Sequence, residues 1–244
     1  MSARFTDQVA LVTGAAGGIG RAILARLRAG GARIAATDRN LDGVEADWLY
    51  PGDLTEASFS DGLAGRVAVD AGRLDILVNN AGIITRGVIT EATDEDFARS
   101  LAVNVEAPFR ICRAAIPLMA DQGGAIVNTA SCWGVHPGPA HPVYCMTKAA
   151  IASLTQCLGR DHAHQGVRVN AVCPNEVNTP MIRTGFEIRG LDADRAIADL
   201  NASVPLGRIA EPEDIADVVA FLASDEARYL CGALIEVNGG KPVG

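Results

Sequence analysis

The chain has 244 residues, of which 49% are hydrophobic and 20% are charged, and its formal net charge is −8 at pH 7. These values are typical of a soluble globular protein. They argue against a nucleic-acid partner, which needs clustered Lys and Arg. No apolar run is as long as a membrane-spanning helix requires, and no signal-peptide core precedes Val9. We therefore expect a cytoplasmic protein with one domain over residues 1–244 and no membrane partner.

Apolar runs alternate with amphipathic segments along the chain, as in repeated strand–helix units. Such repeats predict an α/β fold in which helices cover both faces of a parallel, doubly wound sheet. The segment between Asp38 and Trp48 is too short for an ordinary crossover, so we expect a turn or a stunted helix there. The predicted strands are 9–12, 33–37, 48–50, 75–78, 125–129, 168–172 and 233–237, and the predicted helices are 19–29, 94–119, 144–163 and 213–223.

A glycine-rich segment, TGAAGGIG at residues 13–20, follows the first predicted strand. Gly14, Gly18 and Gly20 fit G-x-x-x-G-x-G rather than the more familiar G-x-G-x-x-G. Glycines let the backbone approach a pyrophosphate closely, and the N-terminus of the next helix offers N–H donors with partial positive charge. The segment therefore predicts dinucleotide binding, although a flexible connection alone would also fit it.

Asp38 ends the second predicted strand. A carboxylate at this position can accept hydrogen bonds from the adenine ribose hydroxyls and would repel a 2′-phosphate. Arg39 follows directly and is suited to a phosphate instead. On balance the pair favours NAD over NADP.

The segment YCMTKAA places Tyr144 and Lys148 four residues apart, on one face of a helix. An ammonium group can stabilise a phenolate and lower the tyrosine pKa. A tyrosine tuned in this way can exchange a proton with an alcohol or carbonyl oxygen while hydride passes to or from a nicotinamide. The spacing alone is common on helix surfaces. Ser131 follows an apolar strand, so its hydroxyl is predicted at the carboxyl edge of the sheet. This position strengthens the interpretation of Tyr144 and Lys148 as a catalytic pair.

Four further features are Asp53, the sequence NNAG at 79–82, Asn104 and the sequence VNGG at 237–240. With the motifs above, they make the whole chain resemble the short-chain dehydrogenase/reductase family in its single-domain form. The resemblance implies a Rossmann-type fold with a seven-stranded parallel sheet, a hydride-transfer reaction on a secondary alcohol or ketone, and no metal.

The resemblance also implies roles for individual residues. Tyr144 would be the general acid/base and Ser131 would orient the substrate oxygen. Lys148 would bind the nicotinamide ribose and lower the Tyr144 pKa, and Asn104 would hold a water in a proton relay. Besides Tyr144 and Lys148, the implied cofactor contacts are Gly14, Gly18, Ile19, Gly20, Asp38, Asp53, Leu54, Asn80, Ala81, Gly82, Val177 and Thr179.

The sequence departs from the family pattern at PNEVNTP, residues 174–180, where Asn175 replaces the usual glycine. Asparagine tolerates a left-handed backbone better than other non-glycine residues, so we expect the turn to survive. Glu176 is also unusual. It either faces the active site or remains an exposed carboxylate.

Two segments are expected to contact substrate. In the loop 132–143, Trp133, His136 and His141 are candidates, although loop packing or a subunit contact fits them equally well. Residues 179–204 are expected to form a lid. Arginines within it leave open an anionic substrate, although solvated arginines are more common.

The leading hypothesis is an NAD-dependent oxidoreductase acting on a polyol, a sugar or a small hydroxy compound. An NADPH-dependent 3-oxoacyl reductase is the second enzyme hypothesis, against which Asp38 counts. A protein that binds NAD as a sensor or scaffold is the third. The resemblance further implies a homotetramer with two-fold symmetry.

Overall fold

The computed structural model describes residues 4–241, in which seven strands form one all-parallel sheet in the order β3-β2-β1-β4-β5-β6-β7. The fold class predicted from the sequence is therefore confirmed. Strands β1 and β4, in the middle of the sheet, are buried along their whole length because helices cover both faces of the sheet. The strands are β1 (Val9–Thr13), β2 (Arg33–Asp38), β3 (Trp48–Pro51), β4 (Ile76–Asn79), β5 (Gly124–Thr129), β6 (Val167–Pro174) and β7 (Leu234–Val237).

Helices lie on both faces of this sheet, and within residues 4–241 none is long and apolar enough to cross a membrane. A hydrophobic core lies on each face of the sheet, and alternate residues of β1 point into one core or the other. Val9 and Leu11 pack on one face, and Ala10 and Val12 pack on the other. The helices are α1 (Gly18–Ala29), α2 (Ala57–Ala71), α3 (Asp94–Leu101), α4 (Ala107–Met119), α5 (Cys132–Val135), α6 (Pro142–His162), α7 (Pro180–Glu187), α8 (Ala193–Ser203) and α9 (Pro212–Ala223).

Two connections between strands test the sequence-based predictions. Between Asp38 and Trp48 the chain forms only a turn, with Gly43 at φ +65°, as expected. Helix α2 was not predicted, although Leu63, Ala64 and Val67 show helical spacing and are buried. Glycines within that segment weaken its helical signal.

The predicted helix 94–119 is interrupted by a π-helical turn, Ala102–Glu106. The turn separates α3 from α4 and contains Asn104, which is 2% exposed. A π-helical turn adds a residue to the helix and re-aims its side chains, and such turns are frequent at functional sites. Periodicity alone does not reveal this interruption, because apolar residues continue through it.

The direction of chain progress across the sheet reverses between β1 and β4. From β1 the chain proceeds outward to β2 and β3, whereas β4 to β7 follow on the other side. In open parallel sheets a crevice forms at this point, outside the carboxyl ends of the strands, and ligands bind there. The glycine loop, the NNAG segment and the side chains of Asn104 and Lys148 lie at this crevice.

Candidate active site

The glycine loop, residues 13–20, joins β1 to α1 and packs against the end of β4. Gly14 has φ +65°, and a Cβ atom there would lie 2.7 Å from the Cα atom of Ala81. A Cβ atom at Gly20 would overlap the carbonyl oxygen of Gly14. Since none of the described side chains caps α1 at Gly17, the N–H groups of its first turn are left for a ligand.

Asp38 ties the end of β2 to the glycine loop. Its carboxylate accepts hydrogen bonds from the backbone N–H groups of Ala16, at 3.0 Å, and Arg39, at 2.7 Å. A carboxylate has further lone pairs, so both oxygens can still accept hydrogen bonds from a ligand. The negative charge therefore lies beside the loop, where the sequence predicts the adenine ribose.

The residues after β3 form a local turn. Asp53 accepts hydrogen bonds from the backbone and the hydroxyl of Thr55, and these bonds hold the pKa of Asp53 below its ordinary value. Leu54 is buried, and its carbonyl oxygen accepts a hydrogen bond from Ser60. The turn thus presents a fixed carboxylate at the carboxyl end of β3, next to Asp38 on the neighbouring strand.

The NNAG segment links β4 to the glycine loop. The Asn80 amide donates to the carbonyl oxygens of Thr13, at 3.2 Å, and Gly14, at 3.1 Å, while the N–H of Ala81 donates to the Thr13 hydroxyl at 3.0 Å. Gly82 faces Lys148 and Asn104 across the crevice, because a Cβ atom there would lie 3.2 Å from Lys148 Nζ and 3.4 Å from Asn104 Oδ1.

The Asn104 side chain connects three parts of the site. Its Oδ1 accepts a hydrogen bond from the Ile83 N–H at 2.8 Å, and its Nδ2 donates to the Ile83 carbonyl oxygen at 2.9 Å and to Thr147 Oγ1 at 3.0 Å. Sequence reasoning missed Thr147, which is fully buried and whose hydroxyl donates to the Tyr144 carbonyl oxygen. Thr147 could have been found from the sequence, because a residue three positions after Tyr144 lies close to it on a helix.

Lys148 lies on α6 and is only 4% exposed. Its Nζ donates a hydrogen bond to the Thr129 carbonyl oxygen at 2.7 Å, at the end of β5. Burial lowers the pKa of Lys148 to about 8. The ammonium group is therefore held near the crevice but close to its point of deprotonation at neutral to mildly alkaline pH.

Ser131 and Tyr144 meet where β5 and α6 approach each other. Ser131 begins α5 and accepts a hydrogen bond from the Trp133 N–H at 3.1 Å. Burial raises the pKa of Tyr144, and a hydrogen bond with the Ser131 side chain partly counteracts this. Lys148 Nζ lies 5.8 Å from the Tyr144 ring centroid. The lowered Tyr144 pKa expected from the lysine is not found in this structure, because burial dominates.

The candidate substrate residues of the loop 132–143 bind mainly to each other and to β7. The rings of Trp133 and His141 lie 4.7 Å apart, and His141 Nδ1 is 2.9 Å from the Pro139 carbonyl oxygen. His136 Nε2 is 3.1 Å from a carboxylate oxygen of Glu236 on β7. Loop packing therefore accounts for both histidines in this structure.

Glu176 forms a salt bridge with Lys241, at 2.6 Å, and its side chain is only 20% exposed. It lines a cavity of about 110 Å³ at the base of the lid segment, together with Asn175. Glu176 is therefore not an exposed carboxylate, and its carboxylate is bound to Lys241 rather than directed at a ligand in the crevice. Among the described non-glycine residues only Asp7 and Ala140 have positive φ, so the turn at Asn175 needs no left-handed backbone.

The lid segment, residues 179–204, begins beside the glycine loop. A Cβ atom at Gly18 would lie 3.2 Å from Thr179 Cγ2, and Val177 forms an isolated bridge with Ala210. Helices α7 and α8 then fold onto each other over a separate small core of Phe186, Ile197, Val204 and Ile209. This core is distinct from the two that hold the sheet.

Known proteins resemble the chain over nearly its whole length. A family model described as enoyl-(acyl carrier protein) reductase, within the short-chain dehydrogenases/reductases, matches residues 14–241. Meso-2,3-butanediol dehydrogenase of Serratia marcescens is 36% identical over 97% of this chain and 95% of its own. A 3-oxoacyl-[acyl-carrier-protein] reductase of Thermotoga maritima is 34% identical over 97% of this chain and 98% of its own.

Among solved structures, NAD⁺-bound xylitol dehydrogenase superposes with a TM-score of 0.89 at 33% identity, covering 97% of this chain and 100% of that one. The fold, the family match and the sequence identities agree with one another. The chain belongs to the short-chain dehydrogenase/reductase family of oxidoreductases.

Proposed function

We propose that the protein is an NAD-dependent dehydrogenase that interconverts a secondary alcohol and a ketone, acting on a polyol, a sugar or a small hydroxy compound. The observation that carries the proposal is the convergence of four side chains in one crevice. This catalytic wall comprises Asn104, Ser131, Tyr144 and Lys148, and the glycine loop forms the other side of the crevice.

The glycine loop fits a dinucleotide because Cβ atoms at Gly14 and Gly20 would collide with backbone, which keeps the loop tight and leaves its outer surface clear. When bound, NAD accepts or donates the hydride. The remaining cofactor contacts are proposed for Gly18, Ile19, Asp38, Asp53, Leu54, Asn80, Ala81, Gly82, Tyr144, Lys148, Val177 and Thr179.

Preference for NAD over NADP is proposed from Asp38. Its carboxylate is held against the glycine loop by the Ala16 and Arg39 N–H groups. In this position the carboxylate would accept hydrogen bonds from the ribose hydroxyls and repel a 2′-phosphate. The guanidinium group of Arg39 is the feature that would favour NADP instead.

In the proposed chemistry Tyr144 takes the proton of the alcohol during oxidation and returns it during reduction. Ser131, hydrogen-bonded to Tyr144, would hold the same substrate oxygen and favour the ionised tyrosine. Lys148 places a cation 5.8 Å from the Tyr144 ring centroid. Because Gly82 has no side chain, space remains between Lys148 and Asn104 for a water that passes the proton to solvent.

The substrate class is supported by the relatives. Two of them, the butanediol dehydrogenase and the xylitol dehydrogenase, are named for small polyols. In the protein itself, Trp133, His136, His141 and Glu176 remain proposed substrate contacts only if the loop or the Lys241 salt bridge rearranges. Their present partners lie within the loop, on β7 and near the C-terminus.

The test is an absorbance assay for reduced nicotinamide. The protein is mixed with polyols, sugars, hydroxy acids and secondary alcohols, each with NAD and with NADP. Tyr144→Phe is the control. Turnover with NAD that disappears in the variant supports the proposal. Turnover that survives in the variant, or strong preference for NADP, overturns the base or the cofactor assignment, respectively.

A 3-oxoacyl reductase is the second candidate, favoured by the 34% identical Thermotoga relative of that name. Reduction of an acetoacetyl thioester with NADPH at a higher kcat/KM than any alcohol oxidation would select it. Tight NAD binding without turnover of any substrate in the panel would select a sensor or scaffold.

We also propose a homotetramer in the cytoplasm. Large apolar side chains remain exposed on two long helices, Phe109 and Leu118 on α4 and Met146 on α6, and Tyr229 before β7 is 99% exposed. Burying such residues between symmetry-related copies would remove them from water. Light scattering that returns a stable monomer would contradict this assembly.

A further inference from the structure

Arg86 is a cation at the crevice without a partner. It follows the NNAG segment at the end of β4. Among residues 4–241 it donates no hydrogen bond and forms no salt bridge. Its charge nevertheless acts on Tyr144, whose pKa it helps to lower. A guanidinium group without a hydrogen-bonding partner among the described residues is available to a ligand.

The position of Arg86 is shaped by the lid segment. Its guanidinium group packs against Gly185 on α7, where a Cβ atom would lie 3.0 Å from Arg86 Cζ. Arg189 lies in the turn after α7, where its Nε donates a hydrogen bond to the Gly185 carbonyl oxygen at 3.0 Å and its guanidinium group lies 5.0 Å from the Phe186 ring centroid. Partial burial and the like charge of Arg189 lower the pKa of Arg86.

A cavity of about 340 Å³ opens beside Arg86, large enough for a small ligand. Its charged lining consists of Arg86, Arg99 and Asp96, a net charge of +1 that matches a monoanion. The Asp96 carboxylate accepts a hydrogen bond from the Thr93 hydroxyl at 2.8 Å and forms no salt bridge with either arginine in the described structure. The remaining lining residues are Ile83, Ile84, Thr85 and Met181.

We propose that Arg86, with Arg99 in the same cavity, binds the carboxylate of a hydroxy-acid substrate whose alcohol carbon reacts at Tyr144. The cavity adjoins the catalytic wall at Ile83, whose backbone N–H and carbonyl groups are hydrogen-bonded to Asn104. The inference rests on the proposed function and narrows its substrate class from neutral polyols to polyhydroxy acids. A planar guanidinium group can bind a carboxylate through two parallel hydrogen bonds. Two arginines that line one cavity would both be stabilised by an anion bound within it.

The experiment compares aldonates of four to six carbons with the neutral alditols of the same length, as substrates with NAD and as ligands in calorimetry. Arg86→Gln removes the charge and keeps a hydrogen-bonding side chain, and Arg86→Lys restores the charge without the fork. Arg195→Gln is the matched control, because Arg195 is an exposed arginine of the same lid segment outside the cavity.

We expect at least one aldonate to have a higher kcat/KM than its alditol. Arg86→Gln should lower the aldonate-to-alditol ratio of kcat/KM by about 10- to 100-fold, as the loss of a charge-assisted hydrogen bond predicts. Most of this loss should appear as a higher KM for the aldonate. Arg86→Lys should recover part of the ratio, and Arg195→Gln should leave it unchanged. An aldonate-to-alditol ratio that does not change in Arg86→Gln overturns the inference.

The proposed dehydrogenase function and the proposed carboxylate site would be refuted by different results. Turnover of alditols that requires Tyr144, combined with no aldonate binding, sustains the dehydrogenase and refutes the carboxylate site. Aldonate binding that weakens in Arg86→Gln, combined with no turnover of any substrate, sustains the carboxylate site and refutes the dehydrogenase.

Discussion

The two sides of the crevice are built by different means. On one side, the glycine loop works through backbone: Gly14 and Gly20 have no room for a side chain, and the ligand would meet N–H groups at the start of α1. On the other side, the catalytic wall works through four side chains that come from three parts of the chain: the π-helical turn, the start of α5, and α6. Lys148 and Asn104 are almost fully buried there.

This difference has an electrostatic consequence. The glycine loop presents fixed partial charges that do not titrate, and the ionisable groups proposed to contact the cofactor on this side are the carboxylates of Asp38 and Asp53. In the catalytic wall burial shifts the pKa of Tyr144 upward and that of Lys148 down to about 8. Changes in the loop should therefore alter cofactor affinity, whereas changes in the wall should alter rate and pH dependence.

The largest effect is expected from Ser131→Ala, which tests the wall. Loss of the hydroxyl should reduce kcat by about 10²- to 10³-fold, because a group that holds the reacting oxygen is removed. Because the Ser131 hydrogen bond lowers the Tyr144 pKa, the rise of alcohol oxidation with pH should move to higher pH. Steady-state rates over pH 6–10 and NAD titration measure both. An equal loss of NAD affinity would remove the distinction between wall and loop.

Asp38→Asn tests the charge beside the glycine loop. It retains hydrogen-bonding groups but removes the repulsion of a 2′-phosphate, so the preference for NAD over NADP should fall by about 10- to 100-fold. Asp42→Asn is the control, because Asp42 is an exposed carboxylate on the same connection. The ratio of kcat/KM for the two cofactors is measured. A ratio unchanged in Asp38→Asn would show that Asp38 does not select the cofactor.

Gly20→Ala and Gly62→Ala compare two helical glycines. A Cβ atom at Gly20 overlaps the Gly14 carbonyl oxygen, whereas at Gly62 nothing lies within 4 Å. We expect the first substitution to destabilise the protein by about 1–3 kcal/mol and weaken NAD binding. The second should stabilise it by about 0.5–1 kcal/mol. Urea unfolding and NAD titration test this, and a neutral Gly20→Ala would mean that the loop does not need to be tight.

The smallest effect concerns Lys148 and alkaline pH. The unfolded lysine keeps its proton up to about pH 10.4, whereas the buried one releases it near pH 8. Between these values the unfolded state binds more protons, so this residue makes the protein more stable as pH rises. From pH 8 to 9.5 the free energy of unfolding should increase by about 1–2 kcal/mol relative to Lys148→Met. Parallel curves for the two proteins would show that Lys148 is not desolvated.

The positions of the strands along the chain, the glycine loop and the Tyr144/Lys148 spacing were predictable from the sequence because each depends on local pattern. Continuous apolar runs predict buried parallel strands, and glycines between a strand and a helix predict a close backbone approach. Helix α2 was missed because its glycines weaken the local signal. The π-helical turn at Asn104 was missed because apolar periodicity runs through it.

Tertiary structure alone decided where charged side chains find partners. Glu176 is paired with Lys241, which lies 65 residues away in the chain, and His136 with Glu236, which lies 100 residues away. Arg86 finds no hydrogen-bonding or salt-bridge partner among residues 4–241 and lines a cavity instead. Local sequence fixes backbone geometry through steric rules that act over a few residues. The partners and pKa values of side chains depend instead on burial and on charges that only the folded chain brings together.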